Sequence, residues 1–159
     1  MNGLLLNLLL AFAWAAMTGD FSFISFATGA VLGFFALWIS QPLTGIDAMY
    51  FKRFWRSVYL ALFFIWELLL SSVKVAWDVI RPVPQNKPAL IEVPLTVKSD
   101  FEILLLTNLI SLTPGTLSVD VTEDRETLIV HAMFGDDAEE ITRDIKSGFE
   151  RLIMGVFEK

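Results

Sequence analysis

The sequence predicts a helical membrane part, a two-helix hairpin plus a third membrane or interfacial helix, followed by a small α+β cytoplasmic domain. Three observations lead there. The first is where charge begins: before Tyr50 the only charged side chains are Asp20 and Asp47, and all 12 Lys and Arg lie at or after Lys52. The second is a pair of uncharged apolar runs at residues 3–17 and 21–40, separated by Thr18-Gly19-Asp20. The third is a change of pattern after a Pro-rich stretch at 81–94, where short alternating runs and helical periodicity take over. The 55% apolar content, with 14 Phe and 5 Trp, exceeds that of an ordinary soluble domain.

A bilayer is spanned by about 20 apolar residues in a helix. The run at 21–40 meets that length; the run at 3–17 is slightly short and suits a thin or locally adapted bilayer. Together they predict a hairpin with its tip at Asp20. A cleaved signal peptide is the competing reading, because Ala13-Trp14-Ala15 resembles a small-residue cleavage site. Against it, no Lys or Arg precedes the apolar run, and a second such run follows at once.

Residues 57–80 (SVYLALFFIWELLLSSVKVAWDVI) are long enough to span but contain Glu67, Ser71, Lys74 and Asp78. Their steps of four, three and four place them on one narrow helical stripe. A spanning helix turning this stripe inward and a helix lying in the interface both accommodate it. If the third helix does not cross, every Lys and Arg falls on one side, which the positive-inside rule favours. The domain after it is then cytoplasmic. The stripe itself reads as packing or solvation, with a proton relay through Glu67 and Lys74 as the sharper alternative.

Residues 50–90 carry six cations, Lys52, Arg53, Arg56, Lys74, Arg81 and Lys87, against Glu67 and Asp78. Of these, Lys52, Arg53, Arg56, Arg81 and Lys87 form a basic belt suited to anionic lipid. Residues 98–159 carry six cations against thirteen acids, which argues against nucleic acid as a partner. With no Cys, disulfides and thiolate metal sites are excluded, and the single His131 cannot build a multi-histidine site. No metal, cofactor or catalytic constellation is expected; His131 lacks a visible base or nucleophile pair.

In the domain at 90–159, residues 90–97 alternate loosely as a first strand, with Pro94 at an edge or a break. Ser99-Asp100-Phe101-Glu102 matches a capping box and opens an apolar helix of about 13 residues, too short to span. Pro114 disfavours helical geometry at Thr113, and Pro114-Gly115 fits the centre of a type II turn. Residues 116–121 then alternate, with Leu117, Val119 and Val121 on one face and Thr116, Ser118 and Asp120 on the other. After the polar loop 122–125, residues 127–133 form a third strand, with Leu128, Val130 and Ala132 on one face and Ile129, His131 and Met133 on the other. Residues 136–157 make an amphipathic helix with the apolar stripe Ile141, Ile145, Phe149, Leu152, Ile153 and Val156. The order is β-α-β-β-α. A phosphate-binding role for LTPGT fails on polarity, since the turn follows a helix C-terminus and no Lys follows its Gly. It reads as a corner between helix and strand.

TNLISLTPGTLSVDV at 107–121, DRETLIVHAMFGDDAEE at 124–140 and IKSGFERLI at 145–153, after the N-terminal hairpin with Trp14, resemble the E-type subunits of the multisubunit (Mrp-type) sodium/proton antiporters. The resemblance covers nearly the whole chain. It marks Thr113, Pro114, Gly115, Thr116 and His131 as family-motif positions with a structural role. It further implies a multi-pass subunit in the bacterial cytoplasmic membrane, partnered by other antiporter subunits, accessory to ion exchange and not an enzyme. The different class kept beside it is a membrane-anchored regulatory module whose acidic domain binds a small ligand or cation.

Overall fold

In the computed structural model the described residues are 3–44, 48–83 and 86–158. Asp47, one of the two charges before Tyr50, and Pro84 of the Pro-rich stretch lie outside them. The chain divides into two compact units, one ending at Trp55 and the other formed by Arg56–Glu158.

The first unit contains α1 (Gly3–Thr18), α2 (Phe23–Thr44) and the first two turns of α3 (Ala48–Ile80). Helix α1 buries Gly3, Asn7, Ala11 and Ala15, one residue every fourth position. Helix α2 opposes this row with Ser25, Gly29, Gly33 and Leu37, all buried. Small side chains at both seams let the backbones approach closely, the arrangement apolar helices use to associate. Gly29 leaves no room for more: an added Cβ would lie 2.8 Å from the Trp14 Cβ and 3.0 Å from the Ala11 backbone. Gly19 turns the chain between the helices with φ +67. Phe34, Leu37 and Phe51 form a small aromatic-rich cluster, with the Phe34 ring 5.3 Å from that of Phe51. Outward, Leu5, Leu9, Phe12, Ile24, Val31 and Trp38 stay exposed.

The second unit holds the rest of α3, then β1 (Ala89–Pro94), α4 (Asp100–Leu112), β2 (Thr116–Val121), β3 (Thr127–Ala132) and α5 (Ala138–Ile145). One π-helical turn, Lys146–Glu150, joins α5 to α6 (Arg151–Phe157). The sheet is antiparallel in the order β1-β3-β2. Its inner face supplies Ile91, Val93, Leu128, Val130 and Ala132 to a core completed by Ile103, Leu106 and Ile110 of α4, Ile145, Phe149, Ile153 and Val156 of the last helices, and Leu60 of α3.

A helical N-terminal part and a small C-terminal domain with a three-stranded antiparallel sheet agree with the fold class read from the sequence. Several boundaries differ. Helix α3 starts at Ala48 and not near residue 57, because residues 48–56 continue the helix without a breaker, so Lys52, Arg53 and Arg56 are helical. Strand β1 begins at Ala89, inside the Pro-rich stretch, and ends at Pro94. The helix expected over 136–157 is interrupted by the π turn, where Glu150 turns inward. Strand β2 does not keep its alternation: a bulge between Ser118 and Asp120 inserts Val119, so Thr116, Ser118 and Val121 face inward while Leu117 and Val119 are exposed. The capping box forms as the sequence suggests: Glu102 N–H donates to Ser99 Oγ, and Ser99 N–H donates to the Glu102 carboxylate.

Candidate functional site

The four stripe residues of α3 meet the domain along one line. Glu67 and Ser71 are half-buried, Asp78 is buried, and the Lys74 ammonium sits over the Phe134 ring, 4.6 Å from its centroid. Such a cation–π contact is worth about 0.5–1 kcal/mol where water has access. The Ser71 hydroxyl is turned back on its own helix, donating to the Glu67 carbonyl at 2.6 Å.

Opposite this stripe stands the helix-to-strand corner. Pro114 cannot be preceded by a helical residue without a clash, and Thr113 is extended at φ −83, ψ 125. Gly115 then takes φ +91, which only glycine adopts cheaply, and Thr116 N–H donates to the Thr113 carbonyl at 3.3 Å. The hydroxyls of Thr113 and Thr116 each lie 2.7 Å from the Ile110 carbonyl and 2.8 Å from one another. The two hydroxyls therefore share a network closed on the Ile110 carbonyl at the end of α4, with acceptors for both protons inside the corner.

Stripe and corner line one cleft of about 480 Å³, together with Phe63, Phe134, Asp144 and Gly148. Lys74, Phe134, Ile141 and Asp144 also line a neighbouring cleft of about 810 Å³ that holds Asp78, Arg81 and Lys87. The sequence-derived residues Glu67, Ser71, Lys74, Thr113, Pro114, Gly115 and Thr116 are thus brought together, and Asp78 lies next door. His131 is not part of this group. It sits on the outer face of the sheet, between Leu90 of β1 and Leu117 of β2. In the basic belt, Arg56 donates to the Gly155 carbonyl and pairs with Glu158 at 3.4 Å, and Lys87 pairs with Asp136 at 2.8 Å. Lys52 and Arg53 stay exposed.

Two polar residues escaped sequence reasoning. Glu150 is 1% exposed; its carboxylate accepts from Thr96 N–H and Val97 N–H and pairs with Lys146 at 3.0 Å. Lys146 also donates to the Pro94 carbonyl and to Thr96 Oγ1, so the π turn clamps the exit of β1. The available signal was position: Glu150 falls between Phe149 and Ile153 on the apolar stripe. Asn7 is the other, buried in the hairpin with its Nδ2 donating to the Tyr50 hydroxyl at 2.9 Å. It occupies the Gly3-Asn7-Ala11-Ala15 row, where a polar residue has to find a partner.

Comparison with known proteins gives this geometry a lineage. A family model described as Na+/H+ ion antiporter subunit matches residues 7–156. The E-type Na+/H+ antiporter subunit of Alkalihalophilus pseudofirmus is 36% identical over 153 residues, 96% of either chain. Its counterpart from Bacillus subtilis is 36% identical over the same share of both chains. Among solved structures, a chain of an archaeal respiratory complex, the membrane-bound sulfane sulfur reductase, aligns over 98% of both chains with TM-score 0.61 at 21% identity, which is a likeness of fold. Family model and relatives span the hairpin, the α3 stripe and the Thr113–Thr116 corner alike, and the chain belongs to the Na+/H+ ion antiporter subunit family, as a member of its E type.

Proposed function

We propose that this subunit of a multisubunit Na+/H+ antiporter serves assembly and positioning, and that the main ion path runs through other subunits. The carrying observation is the interior of the hairpin. Among the described residues it buries small side chains, the apolar Phe34 and Leu37 and one amide, Asn7, but no ionisable group, and Asp20 lies at its exposed tip. A proton or cation route through the bilayer needs ionisable or carbonyl groups along its length. The remaining ionisable residues in apolar surroundings, Glu67, Lys74 and Asp78, are turned toward the domain.

In this reading α1 and α2 cross the bacterial cytoplasmic membrane, and α3 lies in the cytoplasmic interface beneath a cytoplasmic domain. Support comes from the two sides of α3. Leu60, Phe63 and Phe64 pack into the domain core and Val75 lies beside Gly115. Leu62, Ile65, Trp66, Leu69, Val73, Trp77 and Ile80 are exposed. A helix with one face on an acidic, charged domain cannot cross hydrocarbon without taking that domain with it; lying in the plane, it gives its other face to lipid. Lys52, Arg53 and Arg81 then meet anionic headgroups. The Thr113–Thr116 corner closes the end of α4 and seats α3, and His131 is a packing residue of the sheet.

The test is exchange by the assembled complex in inverted vesicles. With Glu67→Gln and Lys74→Met combined, Na+/H+ exchange should stay within about twofold of the parent, a barrier change under about 0.5 kcal/mol. Abolished exchange in a fully assembled complex would put the stripe in the ion path. The 480 Å³ cleft, with Glu67, Lys74 and Asp144 on its walls, favours one second reading, a regulatory module that binds a small ligand or cation. A stable lone protein whose melting shifts with such a ligand would select it.

A further inference from the structure

The helices that cover the inner face of the sheet differ in what they show to the outside. Helices α5 and α6 and the π turn between them give Ile145, Phe149, Ile153 and Val156 to the core and keep Glu140, Arg143, Asp144 and Arg151 exposed, as a helix between core and water does. Helix α4 turns Ile103, Leu106 and Ile110 inward, but away from them Phe101, Leu104 and Leu112 are 58–61% exposed. No ionisable residue occurs from 103 to 119. The acids of its first turn are engaged, Glu102 in the capping box and Asp100 with Arg125. Asn108 donates an amide proton to the Leu104 carbonyl at 2.7 Å, and the Thr107 hydroxyl donates to the same carbonyl at 3.0 Å. Donors spent on their own helix lower the cost of leaving water.

What covers this face follows from what lies beside it. At the start of α4, Phe101 stands edge-on to Phe157, ring centroids 5.5 Å apart, and Gly155 and Glu158 next to Phe157 hold Arg56 of α3. At its end, Ile110 and Thr113 line one cleft with Glu67 and Leu70 of α3. Helix α4 therefore runs beside residues 56–70 of α3, on the same side of the sheet. The outward row of α3 holds Tyr59, Leu62, Trp66, Leu69, Val73 and Trp77, all exposed, at steps of three and four. Tyr and Trp rings repeated along a helix reach headgroup depth together only when that helix lies in the plane. On one flank α4 extends this apolar face; on the other, α5 and α6 end it with charge. A second copy in the same bilayer would present the face to the same plane and could not meet its equivalent.

We propose that α4 is a second membrane-contact helix. Phe101, Leu104 and Leu112 lie on the phospholipid surface beside α3, between headgroups and acyl chains, and the domain rests on the bilayer by two helices with α5 and α6 turned to water. This rests on the reading of α3 as an in-plane helix.

The chain contains no Cys, so single nitroxide labels report single positions in the assembled complex, with the other subunits freed of cysteine, in phospholipid vesicles. Leu104→Cys, Leu112→Cys and, on the charged flank, Glu140→Cys are read by collision with oxygen, which concentrates in lipid, and with a water-soluble nickel chelate. All three positions are exposed, so labelling leaves the core intact. The oxygen-to-nickel ratio at positions 104 and 112 should exceed that at 140 at least about fivefold. Equal ratios overturn the proposal. Labels shielded from both quenchers overturn it too, in favour of a protein neighbour. Leu62→Cys, Leu69→Cys and Ile80→Cys on the outward row of α3 test the underlying reading separately. Equal depth at these three sites keeps that reading, so a failure at 104 and 112 then falls on α4 alone. Depths spread along the roughly 27 Å between 62 and 80 make α3 a crossing helix and remove both.

Discussion

Glu150 shows how much can depend on one side chain that the sequence pattern hides. Its carboxylate is the acceptor for two backbone amides and one ammonium, with almost no water. Removing one partner of a buried pair strands the others, so Glu150→Ala should cost about 3 kcal/mol, read as a lower melting temperature of the detergent-solubilised chain. A loss under about 0.5 kcal/mol would place the pair among exposed ones. Two glycines separate backbone strain from crowding. At Gly115, where φ is +91 and the nearest side-chain atom to an added Cβ is Val75 Cγ2 at 3.4 Å, alanine should cost about 1–2 kcal/mol through backbone conformation. At Gly135 an added Cβ would lie 2.4 Å from the Ala89 Cβ and 2.9 Å from its nitrogen. Gly135→Ala should therefore destabilise more than Gly115→Ala, and the reverse order in thermal melts would contradict the packing described. Gly115 was legible because Pro-Gly has a fixed turn chemistry; Gly135 and Glu150 were not, because their reasons lie about fifty residues away.

The hairpin, the corner and the capping box could be read as elements because each is encoded locally, by an uncharged run, a Pro-Gly pair and an S-x-x-E spacing. Elements shaped by distant packing could not. The bulge in β2 breaks an alternation that looked regular, and the π turn at Lys146–Glu150 interrupts a helix whose stripe looked continuous. For α3 the stripe was evident, but what it faces emerged only from the fold, which brings Glu67 and Lys74 to the Thr113–Thr116 corner. The proposal that α3 lies in the plane of the membrane predicts that Lys52→Cys and Lys87→Cys label from the same side; opposite sides would make α3 a crossing helix. The seat of α3 can be tested separately. An added Cβ at Gly148 would lie 3.1 Å from the Phe63 ring, so Gly148→Leu should push α3 off the domain and speed amide exchange over its middle turns. Unchanged exchange would mean that Phe63 does not hold the helix there.

For the whole molecule, the change from uncharged to charged sequence foretold an apolar helical part and a small C-terminal domain, but not where compactness divides. The break falls at Trp55, within α3, so a single continuous helix contributes to both units. Charge counting has no access to this, since it follows from which large side chains reach which core. The clamp at the exit of β1 bears on biogenesis. Thr96 and Val97 wait for a carboxylate more than fifty residues downstream, and the sheet's inner face waits for Ile153 and Val156. Residues 3–44 complete their packing with Tyr50, Phe51 and Phe54 of the first turns of α3, and precede the domain in the chain. The hairpin can therefore close while the domain is still incomplete, because the clamp on β1 and the cover of the sheet's inner face come only with residues 145–156.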